Sequence, residues 1–433
     1  MTAQTEVEVD VTAGSYGLVA AGAVSYACLT FVWFSLPAYL APLIEEVGLT
    51  GAQAGVLAGA VPLTYVPLAL LTGLAVDRVG PVWSIAAGLV TFGLAQVGRS
   101  VATGFPTLLA TTLLIGVGAT AITFGLPKLV SVSFPPDRTG APSSIYLVGA
   151  SAGTAGAFAL GRPVLGPLLG GWRPLFLWSG LVAVGYAAVW LLAARLVTVP
   201  EHGGDARDGH GDGEDDTGGD GRDADTDGSR VNESGFSLDS LGRDVRTILA
   251  HRELRLVVVV GTMYLLVIHG MQGWLPTVLE ARGLAADLAG GTTSLLVAAN
   301  VVGILVVPPV ADRLSARREA VMGCGLAAFV GGLAIVAGGV GPLTAAGVVA
   351  TGVGVGGLAP LVRAIPAELE GIGARLTGAA VGFVFAVGEL GGFLGPVLVG
   401  TLFDLTGSYA PGLLTLASGG VVVVLVGVAM REA

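Results

Sequence analysis

The residues of this 433-residue chain that could do chemistry are few and scattered. An acid and a base stand together at Asp77-Arg78 and again at Asp312-Arg313, each pair closing a long uncharged run. Charges are expensive in hydrocarbon and cheap at its edge, so such pairs mark loops at a membrane face. Glu389 lies in the middle of another run, in FAVGELGGFLGP. There it reads either as a carrier of a coupled proton or as a neutral group bonded to a neighbouring helix. His269 and Gln272 fall one helical turn apart in VIHGMQGWLP. Gly270, Gly273 and Pro276 predict a weakened helix there, whose freed backbone groups would meet a ligand unless His269 merely bonds across to another helix. Asn300, Tyr26, Thr30 and Trp33 are candidates to line a cavity or to pack. Lys128, the only lysine, and Arg363 each end a run, where they would receive an anion or anchor against lipid phosphate. Arg162 and Arg173 flank the opposite mouth, drawing in anions or bonding to carbonyls freed at Gly-Pro turns.

This scatter excludes several classes. An enzyme needs clustered ionisable groups or a nucleophile beside its base. Cys28 and Cys324 sit in separate runs, which argues against a disulfide or a cysteine metal site. A P-loop ends in Gly-Lys, whereas the sole lysine follows Pro127, so no ATP-driven motor resides in this chain. No catalysis, cofactor, metal or nucleic acid is expected.

The elements that must position these groups follow from composition. Charged residues make up 12% of the chain, about half the usual globular share, and mean hydropathy is +0.81. A bilayer core of about 30 Å takes roughly 20 helical residues. The uncharged runs predict twelve such spans, with 320–362 divided at GGVGP (338–342). Spans must be helices, because backbone groups in lipid have to pair within their own segment. Of the 21 Lys and Arg, only Arg99, Arg162, Arg173 and Arg282 fall on the face opposite the termini. The asymmetry predicts both termini in the cytoplasm. The acidic N-terminus lacks a basic n-region, so no cleavable signal is expected.

Residues 201–233 hold twelve acids, three arginines and nine glycines. Such a stretch cannot bury a core and reads as a solvated linker, with calcium binding as the alternative. It divides six spans from six, giving a first bundle at 1–197, a linker at 198–250 and a second bundle at 251–433. The halves repeat at an offset of 235: Asp77-Arg78 recurs as Asp312-Arg313, Gly48-Leu49 as Gly283-Leu284, Ala54-Gly55 as Ala289-Gly290, and Lys128 aligns with Arg363. Matches at one offset indicate a duplicated six-helix unit.

On these residues the chain resembles the major facilitator superfamily. GLAVDRVG resembles its GxxxDRxGR signature, with Gly73, Asp77, Arg78 and Gly80 in place and Pro81 or Val82 where a basic residue is usual. PPVADRLSARR is similar to the degenerate second copy. LPKLVSVSFPPDRTG, GWRPLFL and GWLPTVLEARGL look like the cyanate permease and nitrate/nitrite porter branch. The arginines by which nitrate porters grip their anion are missing from spans two and eight, so nitrate is disfavoured. The glycine rhythm from Gly153 to Gly171, with Arg162 at its middle glycine, and the rhythm Gly382, Gly391, Gly395-Pro396 read as hinge or close-packing signals.

The resemblance implies an all-α polytopic membrane protein, with twelve spans in two pseudo-symmetric bundles around a central path. It implies a monomeric secondary active transporter in the plasma membrane. Alternating access would move a small solute, a small anion or organic acid, coupled to protons. Asp77 would latch onto a neighbouring helix end, with Gly73 allowing close approach. Efflux of apolar or cationic compounds is the alternative; a subunit of a larger machine and a sensor on the same fold are the other rivals.

Overall fold

The computed structural model describes residues 13–135, 138–197, 245–368 and 374–430. The first half comprises α1 (Ala13–Ala38), the short α2 (Leu40–Val47), α3 (Gly51–Val79), α4 (Pro81–Ser100), α5 (Phe105–Ser133), α6 (Gly140–Leu169) and α7 (Trp172–Arg195). The second comprises α8 (Arg252–Ala281), α9 (Ala286–Leu314), α10 (Arg317–Ala337), α11 (Pro342–Glu368), α12 (Ala374–Thr406) and α13 (Ala410–Ala429). Leaving out α2, these are twelve helices long and apolar enough to cross a membrane. Large apolar side chains such as Leu71, Leu168, Leu305 and Leu425 stay exposed on the outer faces, as lipid contact requires. The expected linker lies outside the described residues up to 244; residues 245–250 are helical, and Ile248 packs with Leu254 and Ala380.

Twelve crossings bring the start of α1 and the finish of α13 to one end, called here the terminal end. The turns connecting the helices carry the duplication in their backbone. Gly48 (φ 73°) and Gly283 (φ 91°) are left-handed corners at the repeat offset. So are Gly80 (φ 85°) and Ser315 (φ 49°), where the second copy keeps the corner without the glycine that suits it. The stop at 338–342 also forms, with Gly339 at φ 59° between α10 and α11. At the start of α3, Thr50 and Gln53 make a reciprocal capping box, each bond 3.1 Å.

Packing repeats as well. The tight pairs α1–α6, α3–α5, α4–α5, α4–α7 and α1–α7 have their counterparts in α8–α12, α9–α11, α10–α11, α10–α13 and α8–α13. In each bundle a Gly-xxx-Gly stripe makes one pair close: Gly149 and Gly153 against the backbone of Ala23 and Ala27, and Gly391 and Gly395 against Thr262 and Leu266. A side chain at any of the four would run into a carbonyl oxygen of its partner helix. Gly382 has open space before it instead.

The apolar interior divides unequally. One cluster, from Phe34 and Leu40 through Phe158 to Trp274 and Leu413, belongs to both bundles and sits at the end far from the termini. Toward the terminal end each bundle has its own cluster, around Leu89, Ile122 and Trp190 in the first and Val257, Leu361 and Val423 in the second. The halves are therefore welded at the far end and separate at the other.

The helix weakened at Gly270, Gly273 and Pro276 is not broken. α8 runs unbroken through Pro276, because Gly270 lies flat against Leu416, and Gly273 against Ala58 and Pro396. Here glycine serves close approach. The irregular span is α6, which widens to a π-helix over Ala157–Leu165 around Pro163.

Candidate functional site

At the terminal end the two Asp-Arg loops differ in their partners. Asp77 takes Lys128 of α5, Nζ to Oδ1 at 2.7 Å. Lys128 is therefore committed to the first loop and is not a free anion receptor, a correction to its expected role. Asp312 instead takes Arg317, the first residue of α10, at 3.0 and 3.1 Å. Arg78 and Arg313 are exposed in the last turns of α3 and α9, so the Asp-Arg pairs end helices where loops were expected. A Cβ added at Gly73 would meet nothing within 4 Å, so the close approach expected there is absent. The separation of the bundles at this end accounts for it. Among the described residues Asp77 bonds within its own bundle, not across to a neighbouring one.

At the far end two seams close. Along α3 and α12, Gly55 and Gly59 face Pro396 and Phe393 so closely that a Cβ would stand 2.5 and 2.7 Å from their carbonyl oxygens. Above this contact, Asp404 of α12 caps α3: Oδ1 accepts from Gly51 N at 2.7 Å, and Oδ2 from Ala52 N at 2.8 Å. A carboxylate on a helix N-terminus satisfies orphan donors and opposes the positive end of the dipole. Along α6 and α9, Ser294 Oγ donates to Ala155 O at 3.0 Å. The π-turn of α6 aims Arg162 across the seam, where it forms an ion pair with Glu280 of α8 and reaches Ala38 O. Arg162 is thus a bolt between bundles, not an open anion collector. Arg173 pairs with Glu46 and stacks on Trp172 at 4.2 Å.

Arg99, expected in a far-end loop, is wholly buried instead. It donates to Gln96 Oε1 at 3.1 Å and Thr112 Oγ1 at 3.0 Å, while Gln96 bonds Ser35 and Ser179. This polar knot ties α1, α4, α5 and α7 together. Thr30 likewise packs, donating to Ala150 O at 2.8 Å.

Between the two ends lie further candidates. From the first bundle comes an aromatic wall. Tyr26 stacks on Tyr146 at 6.2 Å, Trp33 lies 6.4 Å from Tyr65, and Tyr65 lies 6.4 Å from Phe124 with its hydroxyl on Thr123 Oγ1 at 2.8 Å. From the second bundle come the titratable groups. His269 stacks on Trp33 across the interface, 5.5 Å apart and 14° from parallel. Glu389 Oε2 and His269 Nδ1 are buried without partners among the described residues, and both border Gly392, 3.0 and 2.7 Å from where its Cβ would stand. Asn300 Nδ2 is also buried and unpaired among the described residues, and the backbone of Asn300 lies against Gly352 and Gly356 of α11. Gln272 is buried next to Gly273 at the interface.

Arg363 completes the group. It is exposed, lies over the Phe385 ring at 4.4 Å, and donates Nη1 to Ala359 O at 3.0 Å. No carboxylate among the described residues pairs with it. Tyr65, Glu280 and Asp404 were invisible as site residues in the sequence. Thr50-x-x-Gln53, a capping-box pattern that the sequence reading did not use, is the one local signal that could have drawn attention to the start of α3.

The chain can now be set beside known proteins. The Major Facilitator Superfamily matches it over residues 22–396. The uncharacterized transporter YycB of Bacillus subtilis is 25% identical over 366 residues, covering 84% of this chain and 81% of YycB. A protein of Agrobacterium vitis, provisionally described as a tartrate transporter, is 24% identical over 382 residues, covering 86% and 83%. The hexuronate transporter of Bacillus subtilis is 24% identical over a shorter stretch, 35% of each chain. Among solved structures, an inward-facing bacterial homolog of the human lysosomal transporter Spinster superposes with TM-score 0.73 at 16% identity, covering 96% of both chains. The nucleoside transporter NupG gives 0.69 at 13%, covering 96% of this chain and 98% of its own. The structural likenesses establish the fold alone.

Proposed function

This chain belongs to the Major Facilitator Superfamily, and on that premise we propose that it moves a small organic acid across the plasma membrane by proton-coupled alternating access. It is a multi-pass membrane transporter; the acid, the coupling ion and the orientation are the proposal. The observation that carries it is Arg363, an exposed guanidinium near the terminal-end finish of α11, without an acidic partner among the described residues and set over Phe385, one helical turn from the unpaired Glu389 on α12. A planar fork of donors suits a carboxylate. The names of relatives, tartrate and hexuronate transporters, point to the same class. So does the resemblance to the cyanate side of the superfamily, since cyanate too is a small anion.

The rest of the cycle follows from the same geometry. The arginine excess supports a cytoplasmic terminal end, and with the far end closed this arrangement is then the inward-facing one. Glu389 is the group placed to take and release a proton, being buried, unpaired and close to the substrate zone. Opening outward requires both seams to part: Asp404 leaves the start of α3, Arg162 leaves Glu280, and Trp33 unstacks from His269. The protein works as a monomer, because the path lies within one chain.

Export of an apolar or cationic compound is the second reading, favoured by the same aromatic wall and by Glu389. Reconstitution in liposomes separates the two. Counterflow of a labelled organic acid, with accumulation when the outer medium is acidified, is the expected result. Flux of an amine without flux of any acid would overturn the reading.

A further inference from the structure

We propose that the transported acid is an aromatic monocarboxylate, held by its single carboxylate on Arg363. The inference rests on the organic-acid reading above and narrows it to one charge and one kind of body.

The charge count comes first. Of the cations nearest the path, Lys128 is held by Asp77, Arg162 by Glu280 and Arg317 by Asp312. Arg78 and Arg313 are exposed in the last turns of α3 and α9 at the terminal end. One guanidinium, that of Arg363, is left. Its Nη1 bonds Ala359 O and its face covers Phe385, which leaves Nε and Nη2 without an acceptor among the described residues. That open edge fits one carboxylate side-on. A dianion would carry its second carboxylate into a zone where no described cation is left to receive it and where Glu389 is already unpaired. An uncompensated charge in so enclosed a place is strongly unfavourable.

The body of the acid is read from the walls. Tyr26 and Phe124 of the first bundle and Phe385 of the second are only partly buried, which leaves aromatic surface on both bundles for a planar ring to stack on. Beside Gly392, Glu389 Oε2 and His269 Nδ1 are buried polar atoms without partners among the described residues. They suit an uncharged hydroxyl or carbonyl on the ring, a group that bonds without bringing charge.

The test uses the full-length protein, purified and reconstituted in liposomes. Thermal shift and counterflow are measured with 4-hydroxybenzoate, benzoate, acetate, tartrate, cyanate and tyramine. The expected order is 4-hydroxybenzoate, then benzoate, with acetate, tartrate and cyanate at least about tenfold weaker, since a ring stack and a bonded hydroxyl together are worth that much. Arg363→Gln is expected to lose about tenfold or more in affinity for both aromatic acids, the measure of one charge-assisted pair. The wild-type rank order needs no variant, so a poorly folded Arg363→Gln leaves the test intact. Tartrate or cyanate binding as tightly as the aromatic acids would overturn the monocarboxylate proposal and leave organic-anion transport standing. Tyramine moving while no acid does would overturn both.

Discussion

Lys128 and Arg363 hold equivalent places in two copies of one six-helix unit, 235 residues apart, and have opposite occupations. In the first bundle Asp77 claims Lys128. In the second, Asp312 is claimed by Arg317, and Arg363 is left over Phe385. The difference traces to one position: the repeat mate of Arg317 is Val82, which offers no charge. The two halves place a cation at equivalent positions, and the structure pairs Lys128 with an acid and leaves Arg363 without one among the described residues. The bundles divide labour in the same sense at the midline. The first supplies aromatic surface, while Glu389, His269, Asn300 and Arg363 all belong to the second.

The comparison can be broken at several points. Glu389→Gln should abolish acid-driven accumulation while counterflow persists; accumulation at the wild-type level in liposomes with an imposed pH gradient would remove Glu389 from coupling. Arg363→Gln should weaken acid binding about 10- to 100-fold, as removal of a charge-assisted pair implies. By contrast, Lys128→Gln should leave the apparent affinity in counterflow unchanged. Equal losses in the two variants would erase the asymmetry between the halves.

A third test compares the two ends of the molecule. Asp404→Asn keeps the shape of the cap but removes its charge from the start of α3. About 1–2 kcal/mol of far-end closure should go with it. Spin-label distances between α3 and α12 should then show a larger far-end-open population. Next in size, Arg317→Val copies the first bundle's Val82 into the second and frees Asp312 to capture Arg363. Affinity for the acid should fall about threefold to tenfold, recover in the double variant with Asp312→Ala, and stay intact in Arg317→Lys, as a coupled pair requires. The smallest effect belongs to the stability of Lys128→Gln. Its ion pair with Asp77 is largely exposed, so a loss of about 0.5 kcal/mol or less is expected in a thermal melt.

Much of the architecture was legible in the order of residues. Twelve spans, the break at 338–342 and the duplication follow from where charges stop and start, because hydrocarbon tolerates neither charges nor unpaired backbone. The site was legible in its membership and not in its relations. Glu389, His269, Asn300 and Arg363 stood out as polar groups in apolar runs; Glu389 and His269 both border Gly392, and Arg363 lies over Phe385 of the same helix as Glu389, whereas Asn300 packs against α11. Their roles were harder. Gly270 and Gly273 suggested a broken helix, but a glycine that loosens a lone helix also lets a neighbour close on it, and Leu416, Ala58 and Pro396 do so. Arg99 looked like a loop residue because its run ended there, yet Gln96 and Thr112 keep it buried.

By itself the sequence determined that this chain lives in lipid, how often it crosses and that it is built twice, since those depend on local composition and period alone. The tertiary structure decided which charges are spent on one another. Lys128 meets Asp77 across about 50 residues and Asp404 meets Gly51 across 353. Ion pairs form over a few ångströms, and nothing in the linear order says which helix ends come that near. Arg363 is proposed as the receptor because no carboxylate among the described residues pairs with it.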